Sequence, residues 1–341
     1  MIYRLKIGGD NYLIERKDFN LSFLTWNIYQ GFDTSPLFNP SLTPEQLPAV
    51  VTQVLRQFLA TNFPVRAEAI ARAIASQKPD FIGLQEAVRI KITIPNFRTV
   101  TYDFIEILLE ALEERGLKYE VAASNNNATG EFPDSNGNVV QFLDRDAILV
   151  RKDRKLDVIR KREANFQTNL TVPIAGQLFV ILRGWSSIDV KLYGQVFRMI
   201  NTHLDPTVEA IRNAQAAEIL QGPANTRLPV IITGDMNSIP NSTTYNLFIN
   251  KGFREVWHKV GKGHGFTAHQ DADLLNNVSE LSERIDYVWF NNGWKPIQAD
   301  LVGEMQRDRT STGLWPSDHA GVSARLKLED NHHHHLDESS G

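Results

Sequence analysis

Polar and apolar positions follow two different periods along the chain. Short apolar runs stand at "LSFLTWN" (21–27), "DFIGLQE" (80–86) and "LPVIITGD" (228–235). In the last of these, Leu228, Val230, Ile231 and Ile232 leave no polar position to mark a solvent face, which predicts a buried strand. Between the runs, stretches 45–61 and 65–77 ("VRAEAIARAIASQ") have helical spacing, with Ile70 and Ile74 four apart. "DFIEILLEALEERG" (103–116) reads as an amphipathic helix stopping at Gly116. Region 118–202 is dense in strand signals and carries a hairpin about Tyr193-Gly194. Helices are expected near 208–220 and 243–250, and strands at 284–290 and 319–328. The Asn-rich stretch 124–138 and the polar stretch 303–313 read as the longest irregular loops. Strands and hairpins mixed with helices predict mixed β-sheets with helices outside.

Composition changes this picture little. The 341 residues are 42% hydrophobic and 22% charged, ordinary for a globular protein. No linker divides residues 21–328, which read as one domain. The first 20 residues alternate and read as an added hairpin turning at Gly8–Asn11. Residues 329–341 form a polar tail with four histidines, either a tag remnant or a metal-prone tract. A net charge of −4 advertises neither a nucleic-acid field nor attraction to an anionic membrane. The absence of cysteine excludes disulfides, thiolate metal sites and cysteine nucleophiles. No stretch matches a signal peptide or a membrane span, which favours a cytoplasmic location; a secreted one would require a trimmed leader.

The chemistry gathers at the strand ends. Asn27, Glu86, His203, and Asp235 with Asn237 close four strands; Asp286 opens another, and Asp318 with His319 precede the last. Each alone is ordinary turn chemistry, but six polar ends on apolar strands favour one shared site. Side chains two apart in an extended chain face the same way, so Asp235 and Asn237 are expected to act together. Gly234 before them lets the backbone bend or a ligand approach. Carboxylates and imidazoles crowded at one rim repel, and a hard divalent ion, Mg²⁺ or Mn²⁺, relieves that. A metal, an activating carboxylate and donors for a developing anion suit phosphoester hydrolysis.

In chain order, "TWNIYQG", "IGLQE", "NTHLD", "ITGDMNS", "RIDYV" and "PSDHAGV" resemble the motifs of the endonuclease/exonuclease/phosphatase superfamily, the group of deoxyribonuclease I. The resemblance spans about residues 21–328 and implies a four-layer α/β/β/α sandwich of two mixed sheets. It implies Glu86 as principal metal ligand, with Asn27 and Asp318 beside the ion. Asp235 would orient or deprotonate the attacking water, and Asn237 would hold that water and the phosphate. His203 would donate to phosphoryl oxygens; His319 would also face the phosphate, kept cationic by Asp286. Either Asp235 or His319 could be the base. Arg145 in "DRDAILV" would meet a phosphate oxygen, unless it is a strand-edge arginine paired with Asp144 or Asp146. Ca²⁺ is an alternative ion.

The substrate is less legible. "GDMNSIPNSTTY" is closer to the general phosphodiesterase pattern than to the inositol phosphatases or abasic-site endonucleases, which favours a nuclease-like phosphodiesterase; a sphingomyelinase-like lipid phosphodiesterase or a small-molecule phosphatase is the alternative. The basic run 151–162 could track nucleic acid or an anionic headgroup surface, or simply protect a sheet edge. Trp315, beside the site in sequence, could stack on a base or pack in the core. "GKGHGF" (261–266) lacks the spacing of a phosphate-binding loop, and His264 with His269 could form a second metal site. A silent binding protein is disfavoured because every motif position is filled, and a two-carboxylate glycosidase has no need of the Asn and His positions.

Overall fold

The computed structural model describes residues 19–329, and the backbone of residues 2–7 and 10–15. Strands β1 (Ile2–Ile7) and β2 (Asp10–Glu15) pair antiparallel. Gly8 and Gly9 of the expected turn, and the His-containing tail from residue 330, lie outside the described residues. The first half of the chain continues with β3 (Phe19–Asn27), α1 (Leu47–Ala60), α2 (Phe63–Gln77), β4 (Phe81–Gln85), β5 (Arg89–Ile94), β6 (Arg98–Asp103), α3 (Phe104–Glu114), β7 (Tyr119–Pro133) and β8 (Val139–Arg151). Then come β9 (Asp157–Asn165), β10 (Leu170–Ile174), β11 (Gln177–Ile181), β12 (Gly184–Leu192), β13 (Gln195–His203), α4 (Glu209–Gln221) and β14 (Val230–Asp235). The chain closes with α5 (Thr243–Asn250), β15 (Arg254–Glu255), α6 (Val256–Val260), β16 (Asp286–Phe290), β17 (Trp294–Val302) and β18 (Gly321–Leu328).

Two mixed sheets form the body. One runs β15-β16-β14-β13-β12-β9; the other runs β17-β18-β3-β4-β8-β5-β6, with β7 also paired to β8. Three apolar layers hold them. Ile70, Ile74, Phe104 and Leu108 of α2 and α3 pack on Trp26, Leu84 and Leu149 of the larger sheet. Ala216, Ile219 and Phe248 of α4 and α5 pack on Ile200, Ile232 and Trp289 of the smaller. Between the sheets lie Phe23, Phe81, Ile148, Ile188, Phe197, Ile231 and Val288. Strand alternation produces this division: in β14, Ile231 faces the other sheet while Val230 and Ile232 face the helices. Both faces are buried, so the strand reads as unbroken apolar sequence. The result is the four-layer sandwich expected from the motifs.

The inter-sheet layer is not wholly apolar. Gln85 Nε2 donates to Asn201 Oδ1 (2.8 Å) and Thr25 Oγ1 (3.2 Å), and Thr233 Oγ1 donates to the same Asn201 oxygen (2.9 Å). Asn201 Nδ2 in turn donates to the carbonyls of Leu84 (2.9 Å) and Ala147 (3.2 Å) in the opposite sheet. Gly83 makes room for this layer, since a Cβ there would stand 2.2 Å from Thr233 Oγ1 and 2.4 Å from Asn201 Oδ1.

Two expectations change. Stretch 124–138 is mostly strand: β7 and β8 are long partners, with bulges after Val121 and Asn126, and its asparagines are used inside the sheet. Gly234 does not open a path for a ligand; its Cβ would sit 2.5 Å from the Thr202 carbonyl of the neighbouring strand, so it permits close strand packing. The basic run ends in β9, the edge strand of its sheet, where exposed Arg160, Lys161 and Arg162 suit edge protection.

Replacing Asn201 by Leu removes the shared acceptor and both cross-sheet donors. The expected cost is on the order of 1–3 kcal/mol for the buried groups left unpaired. Denaturant unfolding measures it, and a loss within error of zero would show that the polar layer does not hold the sheets.

Candidate active site

Register brings the polar strand ends together. Strands β3 and β4 run parallel, with Asn27 opposite Gln85, one residue before Glu86. In the other sheet β13 and β14 run parallel, with His203 opposite Asp235, while antiparallel β16 places Asp286 opposite Asp235. Parallel strands present their C-terminal ends at an edge where an antiparallel neighbour presents its start. Asp286 opens its strand, and His319 precedes β18, for that reason.

Glu86 and Asn237 lie just past their strands and both adopt left-handed backbone, at φ 55° and 46°. Such conformations are costly for residues other than glycine and are held only where the surroundings impose them. Asp235 and Asn237 therefore meet by a turn and not by strand alternation. Asn237 N–H donates to Asp235 Oδ1 (3.0 Å), and its side-chain Nδ2 donates to the Leu204 carbonyl (2.8 Å).

Asp235 is the hub. Its Oδ2 accepts from Asn27 Nδ2 (3.0 Å), lies 3.3 Å from His203 Nε2 and 3.8 Å from His319 Nε2. Burial alone would raise its pKa, but His203 and His319 outweigh burial and hold the carboxyl well below the ordinary range. Burial pulls His319 down, yet Asp286, Asp318 and Asp235 hold it well above the usual histidine range. Its Nδ1–H donates to Asp286 Oδ2 at 2.8 Å. Asp286 is pushed up to about 6, by burial against the pull of His319. For His203, burial and Arg183 oppose protonation, while Asp235 leaves the net shift upward.

Oxygen and nitrogen donors of Glu86, His203 and Asp235 lie within 4.8 Å of one another, as do those of Asp235, Asp286 and His319. Burial pushes half-buried Asp318 up to about 7, with His319 pulling it back and Glu86 pushing it further. A carboxyl raised by a neighbouring carboxylate in this way fits a hard divalent cation. Asn27 is different. Its Oδ1 accepts from Tyr29 N–H (3.0 Å), and its Nδ2 donates to both Glu86 and Asp235. It bridges the two sheets' carboxylates as a donor, next to Glu86, where the resemblance puts it beside the ion.

Arg145 and Trp315 are also corrected. Arg145 spends its fork on Asp103 (2.7 and 3.2 Å) and its Nε on the Ala87 carbonyl (3.0 Å). It clamps the backbone just after Glu86 and has neither a phosphate-facing fork nor a bond to Asp144 or Asp146. Trp315 is fully buried against Tyr29, Leu274 and Leu314, with Nε1–H donating to the Asn276 carbonyl, so no base can stack on it. His264 stacks on Phe266 and His269 pairs with Glu283 at an exposed position, so the two do not form a shared metal cluster.

Sequence reading missed three contributors. Arg183, one residue before β12, lines the site cavity, and its buried Nε and Nη1 have no hydrogen-bond partner. Asp144 lines the same cavity; Asn127 Nδ2 bridges it to Asp146 (3.1 and 2.8 Å). The i, i+2 spacing of Asp144 and Asp146 was a usable signal, because alternation sends Arg145 the other way. Buried Arg66 of α2 donates to the carbonyls of Ile28, Tyr29, Thr61 and Pro316, tying the loop after β3 to the segment before β18. An arginine in a helical repeat gives no sign of that.

Fold and site define a phosphoester hydrolase. Residues 24–319 match the Endonuclease/Exonuclease/phosphatase family, and the chain belongs to it. Among curated proteins it resembles the CCR4-Not complex 3'-5'-exoribonuclease subunit Ccr4 of Emericella nidulans, at 25% identity over 37% of this chain and 23% of that one. The Saccharomyces cerevisiae protein of the same name is 27% identical over 30% of this chain and 15% of its own. The match thus spans under a quarter of these relatives' length. Among solved structures, an endonuclease/exonuclease/phosphatase family protein from Bacteroides thetaiotaomicron aligns at TM-score 0.56 and 18% identity, over 92% of this chain and 100% of that one. D. rerio TDP2 complexed with single strand DNA product aligns at 0.54 and 19%, over 90% and 98%. A mannosyl-6-phosphatase from B. thetaiotaomicron aligns at 0.53 and 18%, over 90% and 99%. At these identities the solved structures establish the shared fold.

Asp286→Asn removes the charge that keeps His319 protonated. The His319 pKa then falls, so the imidazolium is lost at lower pH and the alkaline limb of the pH–rate profile moves to lower pH. An alkaline limb unchanged in position would separate the pair from the chemistry.

Proposed function

We propose that the protein is a divalent-metal-dependent phosphodiesterase, nuclease-like, that cleaves by in-line attack of water. The observation that carries the reading is the convergence of Glu86, His203, Asp235, Asn237 and His319 on one cavity, with Asp235 held anionic between two imidazoles. Glu86, with Asp318 beside it, would hold Mg²⁺ or Mn²⁺, which when bound neutralises charge on the phosphoryl oxygens. Asp235 orients the attacking water and takes its proton. The carboxylates around His319 favour its charged form, which suits it to donate, and the water is assigned to Asp235 on that division of roles. His319 and His203 donate to the phosphoryl oxygens as negative charge grows, while Asp286 keeps His319 oriented. Asn237, pinned by the Leu204 carbonyl, positions the phosphate. Arg183, with its two unspent donors, takes the anion-binding part that the resemblance assigned to Arg145. Nucleic acid as the substrate is supported by the names of the relatives: an exoribonuclease subunit, and a protein seen with single-stranded DNA.

Three variants test the scheme, with bis-p-nitrophenyl phosphate, oligonucleotides and Mg²⁺. Asp235→Asn keeps shape and turn-forming capacity but loses the charge, so turnover should drop by about 10²–10⁴ in a protein that melts at a lower temperature yet still folds. Glu86→Gln should abolish hydrolysis at limiting Mg²⁺, as should chelation of the wild type. Arg183→Met should raise KM and lower kcat/KM in a folded protein. Near-normal turnover by folded Asp235→Asn would end the catalytic reading of "GDMN".

A further inference from the structure

Arg66 takes a charge into the interior, and the hydrogen bonds it makes there go to backbone carbonyls. It stands on α2, wholly buried, with its guanidinium over the rings of Phe63 (5.1 Å) and Tyr29 (5.6 Å). Nε donates to Thr61 (2.7 Å), Nη1 to Ile28 (2.8 Å) and Pro316 (2.9 Å), and Nη2 to Tyr29 (2.9 Å). The Thr61 bond closes the end of α1, where a cation is ordinary. The other three carbonyls lie in loops, and nothing in the packing of α2 calls for a charge to hold them.

Those three carbonyls belong to peptides whose far ends face the site. A trans peptide points its C=O and the N–H that follows in opposite directions. With the Ile28 carbonyl turned to Arg66, the Tyr29 N–H points away and donates to Asn27 Oδ1 (3.0 Å). With the Tyr29 carbonyl turned to Arg66, the Gln30 N–H donates to Glu86 Oε1 (3.2 Å). Asn27 donates to the other Glu86 oxygen. The Pro316 carbonyl precedes Ser317, whose hydroxyl donates to the Asn27 carbonyl (2.6 Å) and accepts from His319 N–H (3.1 Å). Tyr29 itself sits in left-handed backbone, φ 61°, a conformation kept only where the surroundings impose it.

We propose that Arg66 is a positioning residue for the metal centre: by holding the carbonyls of Ile28, Tyr29 and Pro316, it turns the Tyr29 and Gln30 amides toward Asn27 and Glu86 and so fixes the Glu86 carboxylate for a divalent ion. The proposal rests on the reading of Glu86 as a metal ligand. It concerns how tightly the ion is held, not which phosphoester is cut. Both Glu86 oxygens are oriented by a hydrogen bond before any ion arrives. A cation on the carbonyl side also makes the N–H on the far side a better donor, because hydrogen bonds in a chain polarise one another. Lysine would keep the charge, but a single ammonium on a flexible stem cannot meet these carbonyls as a planar fork does.

Mn²⁺ binding to the full chain, followed by electron paramagnetic resonance with no substrate present, tests this. Arg66→Lys should bind Mn²⁺ about 10–100-fold more weakly, the usual result of losing a group that orients a ligand. The Mn²⁺ concentration for half-maximal hydrolysis of bis-p-nitrophenyl phosphate should rise by the same factor. Ile74→Ala, a cavity in the core face of the same helix, is the control for lost stability: it should lower the melting temperature and leave Mn²⁺ affinity unchanged. If Arg66→Lys does not fold, Phe63→Leu removes one ring beneath the guanidinium, leaves every carbonyl in place and should weaken Mn²⁺ binding in the same direction. Unchanged affinity in the folded Arg66 variant, or an equal loss in Ile74→Ala, overturns the proposal. A wild type that binds Mn²⁺ more tightly than Arg66→Lys yet cuts no phosphodiester would sink the phosphodiesterase reading and leave the part of Arg66 standing. Mn²⁺-dependent cleavage with equal affinity in both proteins would do the reverse, and a wild type that binds no Mn²⁺ would sink both.

Discussion

A few buried amides and hydroxyls between the two sheets set the distance on which the site depends. Asn201, on the smaller sheet, reaches across to the Leu84 and Ala147 carbonyls, while Gln85 and Thr233 both donate to its oxygen. A polar layer inside an apolar sandwich is stable only when its members find partners, and that demand fixes how the sheets sit. Just beyond this layer the strands end. Asn27 and Glu86 come from one sheet, and His203, Asp235 and Asp286 from the other. Asn27 closes the gap with bonds to Glu86 on its own side and Asp235 on the far side. A small slide of one sheet would separate these groups while leaving each sheet's own ladder intact.

Around that edge, the chain accepts local cost to obtain position. Glu86 and Asn237 are held in left-handed backbone, and two arginines are buried nearby with their donors spent on carbonyls or a carboxylate. Burial lowers Arg66 to about 10, because its charge has been taken from water. Both arginines act on backbone: Arg66 on the loop after β3, Arg145 on the turn after Glu86. Electrostatic pairing then supplies the chemistry. Asp235 stays ionised because His203 and His319 face it, and His319 stays charged because Asp286 and its neighbours face it.

This framework carries more than one chemistry, since proteins sharing it include a mannosyl-6-phosphatase and a protein seen with single-stranded DNA. Such differences reside in the walls beside the conserved geometry of a fold, not in the fold itself. In this chain those walls are the segment before α1, the β7–β8 ribbon and the small β10–β11 hairpin, which line the site cavity.

Much of this was legible in sequence because it is local. Apolar strand bodies with polar ends follow from alternation and burial, and the ordered motifs carry the sandwich with them. Glu86, Asp235 and Asn237 stand where an apolar run stops and His319 where one begins, which is what made them candidates. What could not be read was direction and partnership. Arg145 reads as a phosphate ligand or a strand-edge arginine until β8 alternation turns it toward Asp103, and Trp315 reads as a stacking platform or a core residue until Leu274 and Tyr29 close over it. The asparagines of 124–138 read as loop because their hydrogen-bond partners, Asp144 and Asp146, lie on another strand. Arg183 was hidden in a strand-like run, and the carbonyls that Arg66 holds lie on segments far apart in the chain. Residue chemistry and its period belong to the chain alone; which groups face each other, and what space remains between them, is decided only when distant segments pack.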